Sequence, residues 1–317
     1  MANTHPNNPD QSQSSADLAG PTATRGVFLA RVADNRLVCE AHYTIYLDIE
    51  NLPPSTPGQF VNIGPVIGHT GEPFQPARPL LKRPFSILSR QDLPNGAARI
   101  GVLYRVLGYG TGWIGTLRPG DHAQVIGPLG RGFAVPDDLR TALLVSGGTG
   151  VAPLIYLAEQ FKKRWPHVRM VLFEGVRSRC YLPFDLDLCQ PCPDPRVLSS
   201  AIPDVPVLIA SDDGSLGQAG TVIQAAERYL RANPVDPATT YVFSCGPEPM
   251  MAALAALCER MKLRCQVSLE KSMACGMGTC QSCVVKVKEP ADKDGWVYKL
   301  CCRDGPPFDA SRVIWKA

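Results

Sequence analysis

Thr141-Ala-Leu-Leu-Val-Ser-Gly-Gly-Thr-Gly-Val-Ala-Pro153 decides the central part of the fold. Four consecutive residues of its first six, Ala142 to Val145, are apolar. That is the pattern of a strand covered on both faces of a parallel sheet, since a half-exposed strand would alternate. A glycine-rich turn follows, and a periodic pattern from Leu154 to Lys163 predicts a helix. Strand, glycine turn and helix in this order bring backbone N–H groups and the positive end of a helix dipole to one spot, which suits a dinucleotide pyrophosphate. Gly147, Gly148, Thr149, Gly150 and Pro153 form this candidate cradle. Taken alone, Gly-Gly-Thr-Gly is weak evidence and also fits a plain strand–helix turn.

The alternation continues downstream. Arg169-Met-Val-Leu-Phe-Glu reads as a strand, Val222 to Leu230 as a helix, Thr240-Tyr-Val-Phe-Ser as a strand, and the stretch up to about Met261 as a helix. Residues 138–270 are therefore expected to form a parallel α/β domain, with its ligand beyond the carboxyl ends of the strands. Cys245-Gly246-Pro247 stands at one such end. Arg177-Ser-Arg179 after the second strand suits the 2′-phosphate of NADP or a solvated turn, whereas NAD needs only its ribose hydroxyls satisfied. Ser211 to Gly217 reads as a polar turn with no assigned role.

Beyond residue 270 the grammar changes again. Cys275-Gly-Met-Gly-Thr-Cys280-Gln-Ser-Cys283 has the spacing Cys-x4-Cys-x2-Cys, and Cys301-Cys302 follow eighteen residues after Cys283. This is the plant-type spacing for four thiolates around a [2Fe–2S] cluster. Gly276 and Gly278 permit the tight backbone that such a loop needs. Zinc also takes four cysteines but prefers two separated Cys-x2-Cys knuckles, and only Cys280/Cys283 forms one here. Val284-Val-Lys-Val-Lys alternates as a strand, and Trp296-Val-Tyr-Lys-Leu is its hairpin partner. The hairpin returns either Cys301 or Cys302 to the loop. Met273 and Met277 are read either as ordinary packing or as part of a partner surface.

Upstream, short β-like runs recur between Gly and Pro residues: Gly26 to Val32, Tyr43 to Ile49, Gln59 to Ile63, Pro84 to Leu88, Ala98 to Val106 and His122 to Ile126. Without intervening helices they predict a small antiparallel barrel over 25–137, with a Gly/Pro-rich insert at 64–79. Arg83 offers a guanidinium fork suited to pyrophosphate, and Ser86 a hydrogen bond for a flavin edge. Gly108-Tyr-Gly110-Thr111-Gly112 reads as a turn opening a short helix at Trp113-Ile114.

Arg83-Pro84-Phe85-Ser86, then Tyr104-Arg105, then Gly110-Thr111 resembles the FAD-binding pattern of the ferredoxin reductase superfamily. Gly127-Pro-Leu-Gly130-Arg-Gly-Phe133 is similar to the end of that family's flavin barrel. Gly-Gly-Thr-Gly-x-x-Pro paired with Cys-Gly-Pro is similar to its dinucleotide site. The module order, Ser268-Leu-Glu-Lys-Ser-Met-Ala-Cys-Gly276 and Cys302-Arg-Asp-Gly-Pro306 resemble, more narrowly, the iron–sulfur electron-transfer subunit of NAD-linked dihydroorotate dehydrogenase. That resemblance implies FAD held by Arg83, Pro84, Phe85, Ser86, Leu103, Tyr104, Arg105, Gly110 and Thr111. It implies NAD on the cradle, with Cys245 as the catalytic position beside the nicotinamide and Gly246 and Pro247 lining it. It favours Cys302 over Cys301 as fourth ligand beside Cys275, Cys280 and Cys283. It also implies an FMN-containing catalytic subunit as partner, in a heterotetramer, serving pyrimidine biosynthesis. A flavin would then link the one-electron cluster to the two-electron nicotinamide. Hydrogenase or ferredoxin–NADP reductase complexes use related NAD(P)H-linked subunits of the same three modules, and a zinc-stabilised binding module is the non-enzyme alternative.

Bulk properties agree. The chain of 317 residues is 45% hydrophobic and 19% charged, with formal net charge +3 and no long basic run, so nucleic-acid binding has no support. No apolar run reaches about 18 residues, so no membrane span is expected. Twelve cysteines in a chain this long, without a signal-like apolar region, read as reduced thiols in the cytoplasm. Residues 1–24 are expected to be a disordered tail and 271–317 the cluster domain. Cys180, Cys189 and Cys192 include one Cys-x-x-Cys and are read as a second metal site or as plain thiols; Cys258 and Cys265 are read as small core hydrophobes, and Cys39 has no evident partner.

Overall fold

The computed structural model describes residues 25–66, 79–183 and 205–315, and the backbone of 196–197. The expected tail at 1–24, most of the insert at 64–79, and Cys189 and Cys192 lie outside the described residues.

Six antiparallel strands close a barrel in the order β1-β2-β5-β4-β3-β6. They are β1 (Gly26–Cys39), β2 (His42–Glu50), β3 (Phe60–Gly64), β4 (Arg83–Asp92), β5 (Ala97–Arg105) and β6 (His122–Leu129). Closure follows from alternation, because every second side chain must leave water. Ala30, Val32, Ile45, Leu47, Ile49, Val61, Ile63, Ile87, Ile100, Val102, Ala123 and Val125 are each at most 1% exposed. One helix, α1 (Tyr109–Thr116), crosses between β5 and β6. It begins earlier than the sequence predicts, so Gly110, Thr111 and Gly112 lie inside it. The Thr111 hydroxyl explains the early start: it accepts from the backbone N–H of Leu107 (2.9 Å) and Gly108 (3.2 Å), satisfying donors that a helix start leaves bare.

The second unit is a largely parallel sheet. Its elements are β7 (Thr141–Gly147), α2 (Val151–Arg164), β8 (Arg169–Val176), β9 (Arg196–Val197), β10 (Pro206–Ser211), β11 (Gln218–Ala219), α3 (Val222–Ala232), β12 (Thr240–Cys245), α4 (Glu248–Arg260) and β13 (Arg264–Ser268). The strand order is β11-β10-β8-β7-β12-β13, with β9 paired to β10. The chain runs outward from β7 through β8 to β10, then returns to the far side of β7 with β12. The order therefore reverses at β7/β12, where sheets of this kind open a ligand crevice.

The third unit is the hairpin β14 (Val284–Lys288) and β15 (Trp296–Leu300), followed by the single-turn α5 (Cys301–Asp304). Its last strand, β16 (Pro307–Asp309), does not join that hairpin. It adds antiparallel to β13 and extends the parallel sheet. The units also share one core: Phe60 and Leu129 of the barrel, Val145 and Val267 of the sheet, and Cys283, Cys301 and Cys302 belong to a single buried cluster. On the other side, α2 packs against β4, and the Tyr156 hydroxyl donates to the Ser55 carbonyl (2.9 Å).

Candidate functional site

Three sets of predicted residues converge on the region where the units meet. The first lies on the barrel. Arg83 begins β4, and its guanidinium rests on the first turn of α1. A Cβ on Gly110 would stand 2.7 Å from Arg83 Nε and 2.9 Å from Cζ, so this approach needs glycine. Arg83 Nη1 also donates to the Leu81 carbonyl (2.8 Å). Phe85 meets Tyr104 edge-on at 5.8 Å, and Tyr43 stacks on Tyr104 at 5.5 Å. The Tyr104 hydroxyl donates to Asn35 Oδ1 (2.9 Å), and Asn35 Nδ2 donates to the Ile114 and Leu117 carbonyls, 2.9 Å each. This chain of bonds fixes α1 against the barrel, and burial holds the Tyr104 phenol well above its usual range. Arg105 lies over the Tyr181 ring at 5.2 Å, with its Nε unpartnered. Leu103 packs in the core beside Leu88 and the α2 face, while Pro84 and Ser86 pair with Asn62 and Phe60 of β3.

The second set is at the sheet's reversal point. Ser146 on β7 stands opposite Cys245 on β12, so the turn Gly147–Gly150 and the turn Gly246–Pro247 emerge side by side. Their fit requires missing side chains. A Cβ on Gly147 would lie 2.9 Å from Pro247 Cδ and from Met250 Sδ, and one on Gly150 would lie 2.8 Å from Gly246 Cα. Gly148 has φ +56°, with no heavy atom within 4 Å of its Cβ position, so the turn opens onto free space. Thr149 sits in this turn, and Pro153 in the first turn of α2, where its missing N–H costs nothing. Cys245 is 1% exposed, and burial pushes its thiol far above the ordinary range.

The third set is the cysteine loop. Gly276 (φ +72°) and Gly278 (φ +94°) take the left-handed conformations that let it curl. The Met277 and Cys280 N–H groups both donate to Cys275 Sγ at 3.4 Å. The cysteines sort into two pairs linked by backbone N–H···S bonds, Cys280 N–H to Cys275 Sγ (3.4 Å) and Cys302 N–H to Cys283 Sγ (3.5 Å). Cys280 is exposed, and the Ser282 hydroxyl first, then backbone donors, lower its thiol to about 6. Burial first, then the neighbouring Cys283 and Cys275 sulfurs, push the Cys302 thiol up to about 12. Cys301 turns the other way and donates to the Leu269 carbonyl (3.1 Å). No three His, Cys, Asp or Glu side chains among the described residues are gathered tightly enough for one metal ion. Two thiol pairs instead suit two iron centres, each taking two thiolates. Met273 packs on the core, and the Met277 carbonyl accepts from Arg25 (3.4 Å).

Sequence reasoning missed two residues at these sets: one joins the barrel to the cysteine loop, and the other lies beneath the glycine turn. Asn62 on β3 is 2% exposed, and its Nδ2 donates to the Cys275 carbonyl (3.1 Å) while its Oδ1 has no partner. It stands opposite Pro84 on β4, so the barrel strand that begins with Arg83 and the cysteine loop are one side chain apart. Glu174 on β8 is fully buried and bonded to Ser146, directly before the glycine turn. Neither belongs to a motif, because each gains its place from strand register alone.

These features define a flavin-reductase-like oxidoreductase fold carrying an iron–sulfur loop. Comparison with known proteins agrees. Residues 270–314 match the iron–sulfur cluster binding domain of dihydroorotate dehydrogenase B, and residues 144–256 match the oxidoreductase NAD-binding domain. The dihydroorotate dehydrogenase B (NAD(+)) electron transfer subunit of Caldanaerobacter subterraneus is 32% identical, over 90% of this chain and 98% of its own. That of Geobacillus kaustophilus is 36% identical, over 89% and 96%. Among solved structures, an NADH-dependent reduced ferredoxin–NADP oxidoreductase superposes with TM-score 0.68 at 23% identity, covering 90% of each chain. A ferredoxin NADP+ reductase from Neisseria gonorrhoeae does so with TM-score 0.55 at 14%, covering 74% of this chain and 91% of that one. The chain belongs to the family of dihydroorotate dehydrogenase B electron transfer subunits. No described helix is long and apolar enough to cross a membrane.

Proposed function

We propose that this chain carries electrons between a dihydroorotate-oxidising, FMN-containing subunit and NAD+, in a cytoplasmic heterotetramer. The observation that carries the reading is Asn62, whose bond to Cys275 sets the cysteine loop against the strand paired with Arg83-Pro84-Phe85-Ser86.

The residues present fit three groups. Arg83 would hold an FAD pyrophosphate above Gly110 and Thr111, with Phe85, Ser86, Tyr104 and Arg105 shaping the rest of that site. Gly147, Gly148, Thr149, Gly150 and Pro153 would hold the NAD pyrophosphate, with Gly246 and Pro247 walling the nicotinamide end. Cys275 with Cys280, and Cys283 with Cys302, would ligate a [2Fe–2S] cluster. When bound, a flavin supplies the exchange between a two-electron hydride carrier and a one-electron centre. Cys245 serves by position: its thiol is buried and neutral, so it shapes the wall beside the nicotinamide and carries no proton to solvent. Asn62 fixes the Cys275 carbonyl and keeps the loop at the barrel.

The test is anaerobic co-purification with the catalytic subunit, followed by cofactor analysis and a dihydroorotate-dependent reduction of NAD+. Bound FAD, iron and acid-labile sulfide together with that activity support the reading. NADH oxidation indifferent to dihydroorotate would point to a related ferredoxin- or hydrogenase-linked subunit. A colourless zinc protein would overturn both.

A further inference from the structure

A row of buried groups lies along the carboxyl ends of the central strands. Ser268 on β13, Cys245 on β12, Ser146 on β7 and Glu174 on β8 stand opposite one another in register on four adjacent strands. Each is at most 2% exposed. Residues aligned across a sheet point to the same face, so these four form one polar line under the reversal point.

Glu174 ends the line, and its hydrogen bonding speaks to its protonation. Ser146 Oγ is bonded to Glu174 Oε2 and also stands 3.1 Å from the Phe173 carbonyl. A hydroxyl carries one hydrogen, and a carbonyl can only accept. That single hydrogen is shared between the Phe173 carbonyl and the Glu174 carboxyl, so Ser146 satisfies a carboxylate only in part. Glu174 Oε1 has no partner, which an ionised carboxylate tolerates far worse than a neutral acid. Ser146 leads directly into Gly147–Gly150, and the Gly148 N–H is directed toward the Glu174 carboxyl.

We propose that Glu174 is a positioning residue for the dinucleotide: as a neutral acid it anchors the phosphate-binding turn through Ser146 and Gly148, and its ionisation weakens dinucleotide binding. This rests on the reading of Gly147–Gly150 as the dinucleotide cradle. The physical reason is charge. A carboxylate under a turn that faces pyrophosphate repels the ligand, whereas the acid form does not. Burial pushes Glu174 up to about 8, with Ser146 and then Gly148 pulling it down. Its titratable neighbour on the packed strands is Cys245, which burial keeps neutral. Ile209 of β10 stands opposite it, and Val222 of α3 packs on the adjoining Gly175, so apolar groups cover those sides. Coupling is reciprocal: ionisation lowers affinity by the same factor by which bound ligand favours the acid form.

The experiment is calorimetric titration of the holoprotein with NAD+ and with ADP-ribose, which carries the pyrophosphate without the nicotinamide, from about pH 6.5 to 9.5. For the native protein, Kd is expected to rise about five- to tenfold across this range, a usual size for coupling between two sites. E174Q is neutral throughout and is expected to give a flat profile. S146A removes the main group favouring the carboxylate, so its profile should move to higher pH; it keeps the question open to test should E174Q not fold. Infrared difference spectra should show a protonated-carboxyl band at neutral pH that fades above about pH 8 and is missing in E174Q. A pH-independent native Kd with that band present overturns the proposal while leaving the cradle intact. E174Q or S146A keeping the native slope and midpoint overturns it too. No binding of either ligand by the native protein at any pH removes the cradle, and this proposal with it.

Discussion

Cys301 and Cys302 are adjacent in sequence yet face opposite ways. Cys301 donates to Leu269 inside the core, and Cys302 pairs with Cys283 at the loop. C302S is therefore expected to remove the cluster, read as loss of iron, acid-labile sulfide and visible absorbance. C301S should keep all three and lose roughly 1–3 kcal/mol of stability, because its hydroxyl must be accommodated in a fully buried site. The reverse outcome would exchange their roles. Glu174 makes a second prediction at this scale. Its folded pKa, about 8, lies above the ordinary 4.5. Folding then takes up a proton wherever the unfolded chain has lost it. Its stabilising contribution is full below about 4.5 and is lost as pH rises through about 8. The melting temperature of the native protein should fall over that window, and that of E174Q should fall less; equal slopes would show that Glu174 is not the titrating group.

Elements position these residues, and here sequence and structure can be compared. The strand runs, the glycine turn after β7 and the hairpin returning to the cysteine loop were legible, because each rests on local periodicity or local glycine chemistry. The start of α1 was not, because it depends on Thr111 reaching back to Leu107 and Gly108 and on Arg83 lying across Gly110. Asn62 and Glu174 were equally hidden: a lone Asn in a strand and a Glu ending an apolar run acquire meaning only from the strand next door. The Arg83–Gly110 contact gives a matched test. R83A should weaken FAD retention about 10- to 100-fold, the usual cost of a lost charge-assisted bond. G110A should weaken it too, although it keeps every charge, because a Cβ would displace the guanidinium at 2.7 Å. Equilibrium dialysis measures both, and full FAD occupancy in G110A would show that the guanidinium's seat on α1 does not matter.

At the scale of the molecule, the cluster-bearing segment is woven into the rest. β16 returns from that segment to pair with β13, and the Arg131 N–H of the barrel exit donates to the Gly305 carbonyl (2.6 Å). Gln266 of β13 holds the barrel exit through both its amide groups, donating to the Ala134 carbonyl (2.6 Å) and accepting from its N–H (3.0 Å). Cys283 and Cys302 contribute to a core that also contains Phe60, Leu129, Val145 and Val267. A cluster held by those thiols therefore ties together side chains from all three units. Anything bound only by the native state stabilises the whole cooperative unit, not the loop alone. Chelation of the iron is then expected to lower the melting temperature of the entire chain in a single shifted transition, monitored together by FAD release and by far-UV circular dichroism. A loop merely appended to an independent reductase would behave differently: FAD release would keep its original midpoint, and only the signal from the cysteine segment would move. Two separated transitions would thus contradict the shared core, whereas coincident ones would mean that loss of the cluster loosens the flavin and dinucleotide sites as well.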